Sequence, residues 1–169
     1  MTAEAHYLDA LEALEADDRE QALEHAHKAV KLDPEHADAW RVISDASLPG
    51  MRKQPTLLQA ASSLSAAKKV VQFQPDDLAM WVRGGKLLSD ELGLYMDALH
   101  WWQDARHHAP YEVTPIVEQA AILADMGLYG EASERLQTIF DENMDLATTQ
   151  YARVARLHEL CKLASEQPS

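Results

Sequence analysis

The chain is 169 residues long, with 28 acidic against 15 basic side chains, a formal net charge of −13, and a hydrophobic fraction of 47%. That fraction suits a packed globular chain and is too high for a disordered acidic tail, while the charge has the wrong sign for wrapping nucleic acid or resting on an anionic membrane. The single cysteine, Cys161, cannot close an intramolecular disulfide, so the composition points to a reducing, cytoplasmic setting.

The opening stretch MTAEAHYLDALEALEADD is acidic and amphipathic, unlike a signal peptide, and no apolar run in the chain approaches the roughly 18 residues of a membrane span. Gly (6) and Pro (7) are scarce, β-alternation is absent from the pattern, and apolar residues recur at helical intervals, so an all-α fold is expected. Tyr7, Leu8, Leu11 and Leu14 begin the series, and after the Asp17-Asp18 turn it resumes as Ala22, Ala26, Ala29 and Val30. This second helix ends at Pro34, and its frame returns three times further along the chain. The frame Ala22-x3-Ala26-x2-Ala29-x4-Pro34 reappears as Ser63-x3-Ala67-x2-Val70-x4-Pro75, as Ala98-x3-Trp102-x2-Ala105-x4-Pro110, and as Ala132-x3-Leu136-x2-Ile139-x4-Met144. Trp40 follows Pro34 by six residues, as Trp81 follows Pro75. Each unit has an upstream half, a break such as Gly93 or Gly127, and then the helix of the shared frame. Residues 146–165, with Tyr151, Val154, Leu157 and Leu160 at helical spacing, read as a solvating cap.

These units resemble tetratricopeptide repeats, whose period is about 34 residues with a W-x2-L-G-x2-Y…A-x3-F…P pattern. The third is the nearest match, with Trp81, Gly84, Gly85, Leu88, Gly93, Tyr95, Ala98, Trp102 and Pro110; the fourth has Ile116, Gln119, Ala120, Leu123, Gly127, Tyr129 and Ala132. The first fits only with a residue deleted from its Asp17-Asp18 turn, and the second carries seven extra residues, placed at 49–56. The resemblance implies an α-solenoid, a right-handed superhelix of antiparallel helix-turn-helix units. It would form one domain, with repeats at about 4–36, 37–77, 78–112 and 113–146 and a capping helix at 147–165. Small residues at Ala10, Ser44, Gly85 and Ala120 are expected to let the two helices of each repeat approach, against Ala22, Ala98 and Ala132.

The resemblance also implies a protein or peptide partner held in a concave groove lined by the first helix of each repeat. The Trp-anchored frame then turns toward the groove Leu8, Glu12 and Glu15, then Asp38, Arg41 and Asp45, then Val82, Lys86 and Ser89, then Val117, Ala121 and Asp125. Leu8, Val82 and Val117 would be apolar anchors, and Arg41 and Lys86 would engage an acidic group. A clamp for a C-terminal carboxylate, known in chaperone-binding members of the family, is disfavoured: the one asparagine, Asn143, falls outside the groove frame, and Glu12 and Asp45 would repel an anion. Charge is uneven along the chain, with residues 1–36 at −7, 37–77 at +1, 78–112 at −2 and 113–169 at −5, so a basic or amphipathic partner would meet the first repeat most favourably. A co-chaperone or self-assembling scaffold is the rival within binding.

Other candidates lie off the groove. In the insertion, Met51 and Arg52 are possible contact residues, and Thr56 with Gln59 resembles a capping box. Trp101, about 100° round the helix from the core position Trp102, is expected to point outward and offer an anchor for association. His100, Asp104 and His108 stand at i, i+4 spacing and are weak candidates for a metal, but no HExxH, CxxC, nucleophile elbow or phosphate-binding glycine loop accompanies them. The sequence therefore predicts a non-catalytic interaction module without a cofactor, with a metal-dependent or catalytic protein on a repeat scaffold as the reading from another class.

Overall fold

The structure, a computed structural model, describes residues 1–51 and 53–166. Among these residues there is no strand; the elements are α1 (Ala3–Glu15), α2 (Arg19–Leu32), α3 (Ala37–Ser47), α4 (Leu57–Phe73), α5 (Leu78–Lys86), a π-helical turn (Leu87–Glu91), α6 (Tyr95–His108), α7 (Thr114–Asp125), α8 (Tyr129–Asp141) and α9 (Thr148–Ser165). They fall into two compact units, Met1–Gly93 and Leu94–Ser169. In the first unit α1 pairs with α2, α3 packs on α2 and pairs with α4, and α5 packs on α4. In the second, α7 pairs with α8 and packs on α6, while α9 covers both α7 and α8.

Helix starts follow from side chains that accept backbone N–H groups left without a partner in the first turn. Thr2, Asp18, His36, Thr56 and Asp77 each accept from a backbone N–H in the first turn of the helix that follows. At Thr56 the capping box is complete: the Gln59 N–H donates to its hydroxyl at 3.1 Å, and its own N–H donates to Gln59 Oε1 at 2.9 Å.

Small residues set the distance between paired helices. Ala10 and Ala22 in the first hairpin, Ser44 and Ser63 in the second, and Ala120 and Ala132 in the fourth repeat are all at 0% exposure. In the second hairpin the approach is close enough for reciprocal hydrogen bonds, with Ser44 Oγ donating to the Ser63 carbonyl at 3.0 Å and Ser63 Oγ to the Ser44 carbonyl at 2.8 Å. The regular Pro-to-Trp spacing has an equally direct cause: the indole N–H of Trp40 donates to the Pro34 carbonyl, and that of Trp81 to the Pro75 carbonyl, both at 2.8 Å. Each tryptophan thereby closes the turn that joins one repeat to the next.

The turns within repeats correct one sequence expectation. Asp17, Gly93 and Gly127 each lie five residues before the small residue of the second helix, and all three adopt positive φ, at 58°, 65° and 79°. Nothing is deleted from the first repeat, because Ala10 to Ala22 and Ala120 to Ala132 both span twelve residues. The third repeat instead has one residue more between Gly85 and Ala98, and the π turn accommodates the length: the Leu92 N–H reaches the Leu87 carbonyl at 2.9 Å. In the second repeat the extra residues divide between the loop at 48–56 and a lengthened α4, whose Leu57 and Leu58 are exposed.

Trp101 is also corrected. It is buried at 8% exposure, close to Trp102 at 1%. On this helix a rotation of about 100° from the core position therefore does not reach solvent.

The crossings and turns can each be tested by stability measurements. Ser63→Ala should lower unfolding free energy by about 1 kcal/mol, and Ser44→Ala/Ser63→Ala by less than the sum of the single changes, since both hydroxyls leave together. Urea denaturation checks this. Asp17→Gly relieves a positive φ and should be neutral to stabilising by about 0.5–1 kcal/mol, whereas Gly127→Ala should cost about 1 kcal/mol, read from the same midpoints.

Candidate functional site

The first helices of the first unit carry a connected set of polar contacts. Near α1, Glu4 meets the His36 ring at 2.9 Å, and the Tyr7 ring lies 5.0 Å from that of His36. Burial, helped by the negative charges of Asp38 and Glu4, raises the Tyr7 phenol above its ordinary pKa. On α3, Arg41 pairs with Asp38 and Asp77, and its guanidinium also donates to Gln74 Oε1 at 2.9 Å. Burial opposes the Arg41 charge, but hydrogen bonds to Asp77 and Asp38 outweigh it and raise its pKa further. Asp45, one turn on, is held by Arg83 of α5. Arg19 donates to the carbonyls of Asp45 and Leu48 at 2.8 and 2.9 Å, closing the end of α3.

Of the residues assigned to a groove, Asp38, Arg41 and Asp45 are thus already engaged within the chain. Lys86 differs: it is exposed, and among the described residues it makes no ion pair. With Leu48, Val82, Arg83, Leu87 and Glu91 it lines a cavity of about 340 Å³. Ser89 donates to the Gly85 carbonyl at 2.9 Å in the π-helical stretch.

The first-repeat assignment is one residue out of register. Counting back three from the small residues Ala10, Ser44, Gly85 and Ala120 gives Tyr7, Arg41, Val82 and Val117 as equivalents, and counting forward one gives Leu11, Asp45, Lys86 and Ala121. Leu8 and Glu12 are exposed and stand a residue away from Tyr7 and Leu11, which pack against the first core cluster. The alanine at position 10 carried that signal, because it marks the helix crossing more securely than the missing tryptophan does. Val117 is a further correction: it is 2% exposed and belongs to a core with Ile116, Ala120, Leu136, Ile139 and Val154. Helix α9 covers that face, fixed by Gln150 donating to Thr114 at 2.9 Å and by the Arg153–Glu118 pair. Ala121 is half-buried and Asp125 exposed.

In the second unit a cavity of about 560 Å³ lies among α6, α7 and α8, lined by residues including Met96, Leu99, His100, Gln119, Leu123 and Arg135. Gln119 is 2% exposed; its amide donates to the Leu99 carbonyl and to Gln103 Oε1, each at 3.3 Å, while its own Oε1 has no donor among the described residues. His100, Asp104 and His108 are exposed along α6 and do not converge as a three-ligand group. Met51 is 92% exposed, and Arg52 lies outside the described residues. Cys161 is buried, and burial pushes its thiol above the usual range, which makes it a poor nucleophile at neutral pH.

Paired helices crossing at small residues, with an indole-closed turn between successive pairs, define a helical-repeat protein, and the chain has the tetratricopeptide-repeat fold. Solved structures with this architecture include the MamA protein, at 14% identity over 97% of this chain and 85% of that one with a TM-score of 0.67. They also include TTC0263, a thermophilic tetratricopeptide-repeat protein of Thermus thermophilus, at 18% identity over 99% of this chain and 83% of that one with a TM-score of 0.54. A third is YrrB, described as a tetratricopeptide-repeat protein with an unusual peptide-binding site, at 17% identity over 94% of this chain and 89% of that one with a TM-score of 0.56. No family model and no curated protein matches the sequence. Among the described residues, no helix is long and apolar enough to cross a membrane.

The two predicted groove cations should separate in a stability measurement. Arg41→Ala strands Asp38 and Asp77 and should cost about 1 kcal/mol, less at high salt, whereas Lys86→Ala should stay within about 0.5 kcal/mol of the parent. Thermal unfolding at low and high ionic strength checks both.

Proposed function

We propose that the protein is a non-catalytic interaction module that docks a peptide or partner helix on the first-helix face of its first unit, around Val82 and Lys86. The observation that carries this reading is the contrast between the cations of that face. Arg41 and Arg83 are neutralised by Asp77, Asp38 and Asp45, while Lys86 stands exposed beside the apolar walls of a cavity formed by Leu48, Val82 and Leu87. An exposed ammonium next to an apolar recess suits an amphipathic segment that inserts one hydrophobic side chain and presents one acidic group. Architectural likeness to YrrB, described as having a peptide-binding site, is compatible with this use of the fold. The cysteine supports the non-catalytic part of the reading, because the chain's one thiol is buried and poorly ionised.

A second docking position is favoured by Gln119. Its buried carbonyl oxygen lacks a donor among the described residues and borders the larger cavity of the second unit, an arrangement that would accept a backbone N–H from an extended chain.

Selection of binders from a displayed random-peptide library, followed by fluorescence anisotropy on the selected peptides, tests both positions. Val82→Asp and Lys86→Glu should each weaken peptides of the first class by about tenfold or more, equivalent to about 1.4 kcal/mol. Gln119→Leu should weaken only peptides of the second class. Unchanged affinity in Val82→Asp and Lys86→Glu, with helicity preserved by circular dichroism, would remove the first-unit site.

A further inference from the structure

A different set of side chains has the composition of a metal site. Among the described residues, His6, Asp9 and His25 form a group of three whose ligand atoms all lie within 4.8 Å of one another. His6 and Asp9 are three residues apart on α1 and so share one face of it, and His25 is supplied by the partner helix α2. The α1–α2 crossing at the fully buried Ala10, Ala22 and Ala26 brings these side chains together. The two imidazole rings are stacked, with centroids 6.2 Å apart and planes inclined by 29°. All three residues are half-buried.

Unsatisfied ring nitrogens supply the second observation. Nδ1 of His6 and Nδ1 of His25 are both buried, and neither has a hydrogen-bond partner among the described residues. Two orphaned imidazole nitrogens in one hairpin are uncommon, since buried polar atoms are nearly always satisfied by protein, water or an ion. Two imidazoles and a carboxylate are a donor set for a first-row transition dication rather than for magnesium or calcium, which prefer oxygen ligands throughout. Residues 1–36 carry a net charge of −7, which favours a dication.

We propose that His6, Asp9 and His25 bind a single zinc-type dication that ties α1 to α2, with three protein ligands and a fourth position for water. Tetrahedral zinc with bonds of about 2.0–2.2 Å holds its ligands roughly 3.4 Å apart, so the three atoms, now within 4.8 Å of one another, must draw closer by up to about 1.4 Å. This site shares no residue with the proposed docking positions, and its fate is independent of theirs.

Equilibrium dialysis of the full chain against zinc chloride should give one tightly held ion. His6→Ala and His25→Ala should each weaken it by at least about tenfold, and His100→Ala/His108→Ala should leave it unchanged. Addition of zinc should raise the thermal midpoint of the parent and of the His100→Ala/His108→Ala protein, but not that of His25→Ala. As a check that does not rest on stability, cobalt(II) should give a visible absorption band in the parent that changes shape in Asp9→Asn. Absence of bound zinc, or zinc binding that survives both His6→Ala and His25→Ala, would overturn the proposal. So would an unaltered cobalt spectrum in Asp9→Asn.

Discussion

Close approach of two helices at a pair of small side chains is the constraint on which the rest of this structure depends. Ala10 and Ala22, Ser44 and Ser63, and Ala120 and Ala132 are all sealed from solvent in their hairpins, and none of the six side chains is larger than a hydroxymethyl group. Small side chains at a crossing let two helix axes approach closely, and the crossing point then sets the register of the other contacts in the hairpin. The larger side chains then fill the remaining space on either side of each crossing. Leu136, Ile139 and Val154 do so around Ala120 in the second unit. In the first, Val30, Val42 and Ile43 do so around Ala10 and Ala22. The second hairpin shows how tight the approach is, since its two hydroxyls replace water with one another's carbonyls.

Electrostatics takes its place after packing. The chain is strongly acidic, yet the face formed by the first helices of the first unit is organised around arginines. Arg41 links α3 to the turn before α5, and Arg83 returns from α5 to Asp45. Guanidinium groups suit this task because their planar donors reach two or three acceptors at once, whereas an ammonium is a point charge. The division of labour between arginine and lysine therefore has a physical basis: the arginines hold neighbouring helices together through their ion pairs, and Lys86 is exposed.

Much of the fold is legible in the sequence because its determinants are local or strictly periodic. The alanine frame, the prolines that end second helices, and the Thr56–Gln59 box all report on interactions within a few residues, and each is found where the spacing places it. The breaks at Gly93 and Gly127 and the turn at Asp17-Asp18 are equally legible, but the shared positive φ is not, because at Asp17 an aspartate adopts the conformation that glycine takes at the other two. The candidate site was less legible. Arg41 reads as a free cation until the Asp77 and Gln74 side chains, more than thirty residues away, are seen to claim it. His6, Asp9 and His25 show no recognisable motif, since their proximity depends on which faces of α1 and α2 meet.

The sequence by itself determined that this chain is helical, that it repeats, and that small residues at Ser44 and Ser63 meet in the second hairpin, because a helix period and a small-residue frame are written into regularly spaced positions. Tertiary structure alone decided that Val117 and Trp101 are buried, that the extra residue of the third repeat becomes a π turn, and which cations of the first-helix face are claimed by carboxylates. Those outcomes depend on what a neighbouring element does to a face or a charge. A helix wheel specifies where a side chain points along its own axis, and only the packing of a second helix specifies whether that direction leads to solvent, to a partner group or to the core.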